Sequence, residues 1–173
     1  MSSSTQTNRE VAVEIAVQPP RTVGVGRRLV PPVVARTSDP QLISDVLNND
    51  KHVYATSMLT SSNGGDSSAA LMGSWSVTAQ LVTSSGGSGG SSRRSRSRWL
   101  YFVFDRLSIG VQGTYTISVV VSALSLTDGV SVVVGGRTTR QLTVVNQAAP
   151  PERPSSAERQ VLRQLEEAGF YRP

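Results

Sequence analysis

Val11, Val13, Ile15 and Val17 alternate with Ala12, Glu14 and Ala16, a period of two that predicts a half-buried strand stopped by Pro19-Pro20. His52–Leu59 (HVYATSML) predicts a second strand, closed by the turn-rich SSNGGDSS, and Leu71–Val82 a third, with Gly73 as a bulge. Trp99–Ile109 (WLYFVFDRLSI) and Gly113–Leu124 predict two more. In the latter, Tyr115, Ile117, Val119, Val121 and Ala123 share one face. Val130–Val134 and Thr138–Val145, separated by Gly135-Gly136, predict a closing hairpin.

The period changes in two places. Asp39-Pro40 followed by Leu42, Ile43, Val46 and Leu47 fits either one short helix begun at Pro40 or an irregular connection. Near the end, Ser155 with Glu158 three residues on forms a capping-box pattern, and Val161, Leu162, Leu165 and Ala168 fall on one helical face before Gly169. That predicts an amphipathic helix over 156–168. About seven short strands with one terminal helix predict an all-β, immunoglobulin-like antiparallel β-sandwich carrying a C-terminal amphipathic helix.

Composition sets the limits of that fold. With 38% hydrophobic residues in 173, the chain suits one core rather than two, so residues 10–173 are expected to form a single domain behind a disordered polar tail, 1–9. Residues 83–98, TSSGGSGGSSRRSRSR, contain no apolar side chain and predict a flexible loop. No cysteine is present, which removes disulfides, thiolate chemistry and cysteine-type zinc sites from consideration. With a polar N-terminus and no run near the ~18 apolar residues of a membrane span, the chain is expected to be soluble and intracellular.

Charge gives the first hint of a partner. The formal charge is +5, and all but one of the 17 basic residues are arginine, the side chain that forks onto phosphates and guanine edges; GC-rich codons would give the same bias. Two clusters stand out. Arg21, Arg27 and Arg28, with Arg36 beyond, lie in and after QPPRTVGVGRRLVPPVV, where two proline pairs would hold them with little entropy left to lose on binding. The competing account is a solvated loop whose prolines guard a sheet edge. Arg93, Arg94, Arg96 and Arg98 form the second cluster, readable as a nuclear-import signal, a phosphate-binding arm or a solvated insertion. Ser95 and Ser97 lie between these arginines, where phosphorylation would cancel much of the charge.

Signals of catalysis are weak by comparison. The sole histidine, His52, opens a strand. Gly86-Gly87-Ser88-Gly89-Gly90 matches a nucleophile elbow only in letters, and Gly24-Val25-Gly26 lacks the helix that a dinucleotide fingerprint requires. No catalytic, cofactor-binding or metal site is nominated, and an enzyme is not expected. Trp75 and Trp99 read as core or sheet residues rather than base-stacking platforms.

Several segments, in order, are similar to the velvet domain of fungal regulatory proteins: VEIAVQPPRTVGVG with PPVV, HVYATSML, LMGSWSVTAQLV, WLYFVFDRLSIGVQGTYTISVVVSAL, RQLTVV and SSAERQVLRQLEEAGFYRP. YFVFDRLSIGVQGTYTI is the most specific. The resemblance implies a Rel-homology-like DNA-binding sandwich, a nuclear regulator of development, sporulation and secondary metabolism, and homodimers or heterodimers with other velvet proteins. It further implies double-stranded DNA as partner, no cofactor, no membrane, no small-molecule substrate, and DNA contacts from Arg27 and Arg28 in the loop, with Arg21 and Arg36 as further DNA-binding residues. A partner subunit that does not itself touch DNA is the alternative. The loop here is shorter than the family's and lacks its lysine and acidic residues.

Overall fold

A computed structural model describes residues 9–84 and 96–173. The elements run β1 (Glu14–Val17), β2 (Thr22–Gly24), β3 (Val33–Thr37), α1 (Pro40–Leu47), β4 (Lys51–Ser61), a 3-10 turn (Ser68–Ala70), β5 (Leu71–Met72), β6 (Ser76–Thr78) and β7 (Gln80–Ser84). They continue with β8 (Ser97–Phe104), β9 (Ser108–Ile109), β10 (Gly113–Ser125), β11 (Ser131–Thr138), β12 (Leu142–Val145) and α2 (Ser156–Glu167). A four-stranded sheet, β1-β3-β8-β7, faces a six-stranded one, β2-β12-β10-β4-β6, with β11 also on β10. This is the strand order of an immunoglobulin-type sandwich, and β2 adds in parallel to β12.

Between the sheets, Val33, Ala35, Leu100, Phe102 and Phe104 meet Ala55, Leu59 and the predicted β10 face, Tyr115 to Ala123. At ~25 cal/mol per Å² of apolar surface removed from water, these side chains are what drive the two sheets together. Tyr115 adds a corner: its hydroxyl donates to the Val111 carbonyl at 3.0 Å, fixing the turn into β10. Two residues on, where antibody domains carry half of a disulfide, Ile117 is wholly buried.

The outer face of the four-stranded sheet is covered as well. Val17, Val34, Tyr101 and Val103 pack under Val161 and Leu165 of α2 and under Tyr171. Burial on both faces explains why WLYFVF is a continuous apolar run instead of an alternating one. Helix α2 has the expected capping box, ends at Glu167, and closes with Gly169 N–H to Glu166 O and Phe170 N–H to Leu165 O. Ala168, predicted on the packed face, is exposed.

Helix α1 resolves the 36–49 segment: Asp39 accepts from the backbone N–H groups of Gln41 and Leu42, with Pro40 in the first turn.

Several sequence expectations need correction, among them Trp99–Ile109, which is two strands, β8 and β9, and not one. The predicted third strand is three strands in three pairings: β5 with β9, β6 with β4 in one sheet, and β7 with β8 in the other. Gly73 is a left-handed kink (φ +97°) between them, not a bulge. The predicted closing hairpin does not form. β11 runs through Gly135-Gly136, and β11 and β12 pair in succession along β10. A Cβ at Gly135 would stand 2.4 Å from the Val11 carbonyl and one at Gly136 2.9 Å from the Val119 carbonyl, so Gly135 admits the N-terminal segment to the edge, Gly136 fits close against β10, and neither turns the chain. Finally, residues 83, 84, 97 and 98 belong to β7 and β8, which shortens the predicted 83–98 loop at both ends. Residues 1–8 and 85–95, including Arg93, Arg94, Ser95 and the GGSGG stretch, lie outside the described residues.

Candidate nucleic-acid interface

Arg27 and Arg28 and the described part of the second cluster, Arg96 and Arg98, fall at opposite ends of the sandwich. Arg28 meets the far end of β8, where its Nε donates to the Asp105 carbonyl at 2.6 Å, whereas Arg96 and Arg98 stand at the start of the same strand. At about 3.3 Å per residue, β8 separates those ends by roughly 23 Å. They are therefore two surfaces, not one.

The loop from β2 to β3 is pinned along its length. Gly26 N–H donates to Ile109 O at 2.8 Å, Arg27 N–H to Gly24 O at 3.1 Å, and Leu29 N–H to Leu107 O at 2.8 Å. Leu29 is buried in the core, and Arg28 forms a bridge with Ser108. The apolar residue thus anchors the loop while the exposed Arg27 and Arg28 project from it. Among the described residues, neither guanidinium is in an ion pair. Arg106, in the neighbouring β8–β9 turn, is exposed as well and joins them at this end. Sequence reasoning missed it as a site residue, although it lies inside the YFVFDRLSIGVQGTYTI stretch already singled out.

The proline pair has a structural task of its own. Pro19 and Pro20 are buried, and the chain around them is held by the C-terminal segment. Gln18 N–H donates to Glu158 at 3.0 Å, and the Gln18 side chain accepts from Arg140 N–H at 3.0 Å. Pro19 O accepts from the Arg140 guanidinium at 2.9 Å, while Glu152 takes the Arg21 N–H and pairs with Arg140. Arg21 therefore points into solvent from a fixed backbone. A cleft of about 240 Å³ runs between Arg27 and Arg28 on one wall and Ala148–Glu152 on the other.

Arg36 is elsewhere. It lies on β3, half-buried, bonded to Glu14 and to the Tyr101 hydroxyl, with its guanidinium 4.1 Å from the centre of the Trp99 ring. Burial disfavours its charge, but Tyr101 and Glu14 outweigh this and hold it above its ordinary value. The structure does not bring it together with Arg27 and Arg28. Trp99 is a half-buried sheet residue, as expected, whereas Trp75 is 56% exposed at a sheet edge. His52 is exposed and stacks on Tyr54.

Glu158 ties the C-terminal helix to the β1–β2 connection, and its titration reports on that tie. Burial pushes its carboxyl up, but the N–H groups of Gln18 and Ser155, the Ser155 hydroxyl and the Arg140 charge together hold it below the usual glutamate range. A depressed folded-state value means stability that is present above the unfolded pKa of about 4.3 and lost as pH falls through the folded one. Glu158→Gln is expected to cost about 1 kcal/mol at pH 6 and progressively less below about pH 4.3. Urea unfolding of both proteins across that range checks it; a constant difference would mean that the charge plays no part.

Among the described residues, no group of three or more His, Cys, Asp or Glu side chains could hold a metal ion, and no helix is long and apolar enough to cross a membrane. No protein-family model matches the chain, and no curated protein matches it. Among the solved structures that match it are two bacterial fimbrial proteins. One, from work on fibronectin binding and biofilm formation by AAF fimbriae of enteroaggregative Escherichia coli, is 15% identical, with 78% of this chain and 100% of that chain covered and a TM-score of 0.26. The other is the CooA pilin subunit of enterotoxigenic Escherichia coli, 15% identical, with 73% and 91% covered and a TM-score of 0.23.

Proposed function

We propose that the chain is a velvet-type transcription regulator that contacts double-stranded DNA through the β2–β3 end of its sandwich, as a homodimer or with another velvet protein. The observation that carries the reading is the pinned loop: Arg27 and Arg28 project from a backbone fixed by Leu29 and by hydrogen bonds to Leu107 and Ile109. Such arginines lose little freedom on meeting phosphates, and being unpaired they give up no ion pair to do so. The ordered likeness of the QPPR, YFVFDRLSIGVQGTYTI and C-terminal segments to velvet domains supplies the biological setting: a nuclear protein acting on promoters of developmental, sporulation and secondary-metabolism genes. Phosphate contacts from Arg27, Arg28 and Arg106 position the protein, and base edges reached by the same guanidiniums give sequence preference.

Selection of bound duplexes from a random oligonucleotide pool, with the protein alone and with other velvet proteins added, tests this. One recovered motif is expected. Recovery only with a partner, and with crosslinks only to that partner, would instead make the chain the non-contacting subunit. No motif under either condition would remove the DNA reading.

A further inference from the structure

At the opposite end of the sandwich, a groove of about 480 Å³ separates α1 from the start of β8. Its floor is apolar, made by Pro40, Ile43 and Leu47 on the helix, with Trp99 of the strand at its margin. Leu47, the last residue of the helix, is 49% exposed, while Leu42 and Ile43 are buried in the core. Arg96 and Arg98 form the other wall, both exposed and, among the described residues, without an ion pair. No acid of the helix answers them. Asp45 is buried, 2.9 Å from Lys51 and bonded to Gln41, and the capping Asp39 pairs with Arg9.

We infer that this groove is a docking site for a short acidic peptide segment of another protein, carrying one large apolar side chain. Its volume falls within the ~300–1,000 Å³ range of ligand pockets, enough for one such side chain. Insertion there would desolvate Leu47 beside Trp99, while flanking carboxylates meet Arg96 and Arg98 in forked, charge-assisted pairs. A nucleic-acid backbone would use the arginines and leave the apolar floor unfilled. The inference is independent of the DNA reading, since β8 keeps the two ends apart.

A random twelve-residue peptide library displayed on phage, selected against the full chain, tests it. Enriched peptides are expected to combine Asp or Glu with Leu, Phe or Trp, and to bind at least tenfold more weakly to Arg98→Glu and to Leu47→Ser, both of which alter exposed side chains. In a Trp75→Phe background, the selected peptide should shift Trp99 emission. Absence of enrichment, enriched peptides without acids, or affinity unchanged in both variants would overturn the inference. So would displacement of the peptide by a duplex oligonucleotide that itself shifts the Trp99 emission.

Discussion

Gly73→Ala is expected to cost about 3 kcal/mol or more, a large share of the ~5–15 kcal/mol that holds a domain of this size together. Two effects add. The backbone at Gly73 has φ +97°, a region that costs an L-residue about 1–2 kcal/mol. In addition, a Cβ there would stand 1.7 Å from the Arg106 carbonyl oxygen, a backbone atom that cannot rotate aside. Gly129→Ala separates the two: its φ is +71° with nothing within 4 Å, so it carries the conformational cost alone. Urea denaturation of both variants should give a clearly larger loss for Gly73→Ala. Equal losses would show that Gly73 and the Arg106 turn do not press together. The same contact braces the turn bearing Arg106, so a partly folded Gly73→Ala protein should also bind DNA less well.

Much of the fold is written in the pattern of side chains. The alternation of Tyr115 to Ala123 marks a strand with one face in the core, and all five of those side chains are buried. Ser155 and Glu158 mark the helix start because a capping box is a local device, complete within four residues. The failures lie where the structure depends on distant partners. LMGSWSVTAQLV looks continuous, yet it crosses from one sheet to the other at Ala79, whose N–H is taken by Val53 O; strand propensity does not encode which sheet a strand joins. Gly135-Gly136 resembles a turn because glycine also serves where two backbones approach closely, and the approaching segment, Val11, is more than a hundred residues away.

The candidate site was legible to a similar degree. Arg27 and Arg28 are visible as a basic pair between prolines, but the first proline pair does not itself brace them. Pro19 and Pro20 form the joint that the C-terminal segment grips through Arg140, Glu152 and Glu158, while Leu29 and the strand β9 region hold the arginine loop. Arg36 resembles a member of the cluster because sequence distance is short there; its place on strand β3 carries it away and turns it onto Trp99. Arg106 is more than seventy residues from Arg28 in sequence, and the bonds that tie the loop to Asp105, Leu107, Ser108 and Ile109 are what make them neighbours.

The central claim is that DNA is met by the β2–β3 end of the sandwich, and the salt dependence of binding to a selected duplex tests it most directly. Each phosphate neutralised contributes about 0.9 to the slope of log affinity against log salt concentration. Arg27→Ala with Arg28→Ala is therefore expected to weaken binding by roughly tenfold or more at moderate salt and to flatten the slope by about 1.8. Arg96→Ala with Arg98→Ala, at the other end, is expected to leave the slope unchanged. A slope untouched by the first pair and flattened by the second would contradict the account.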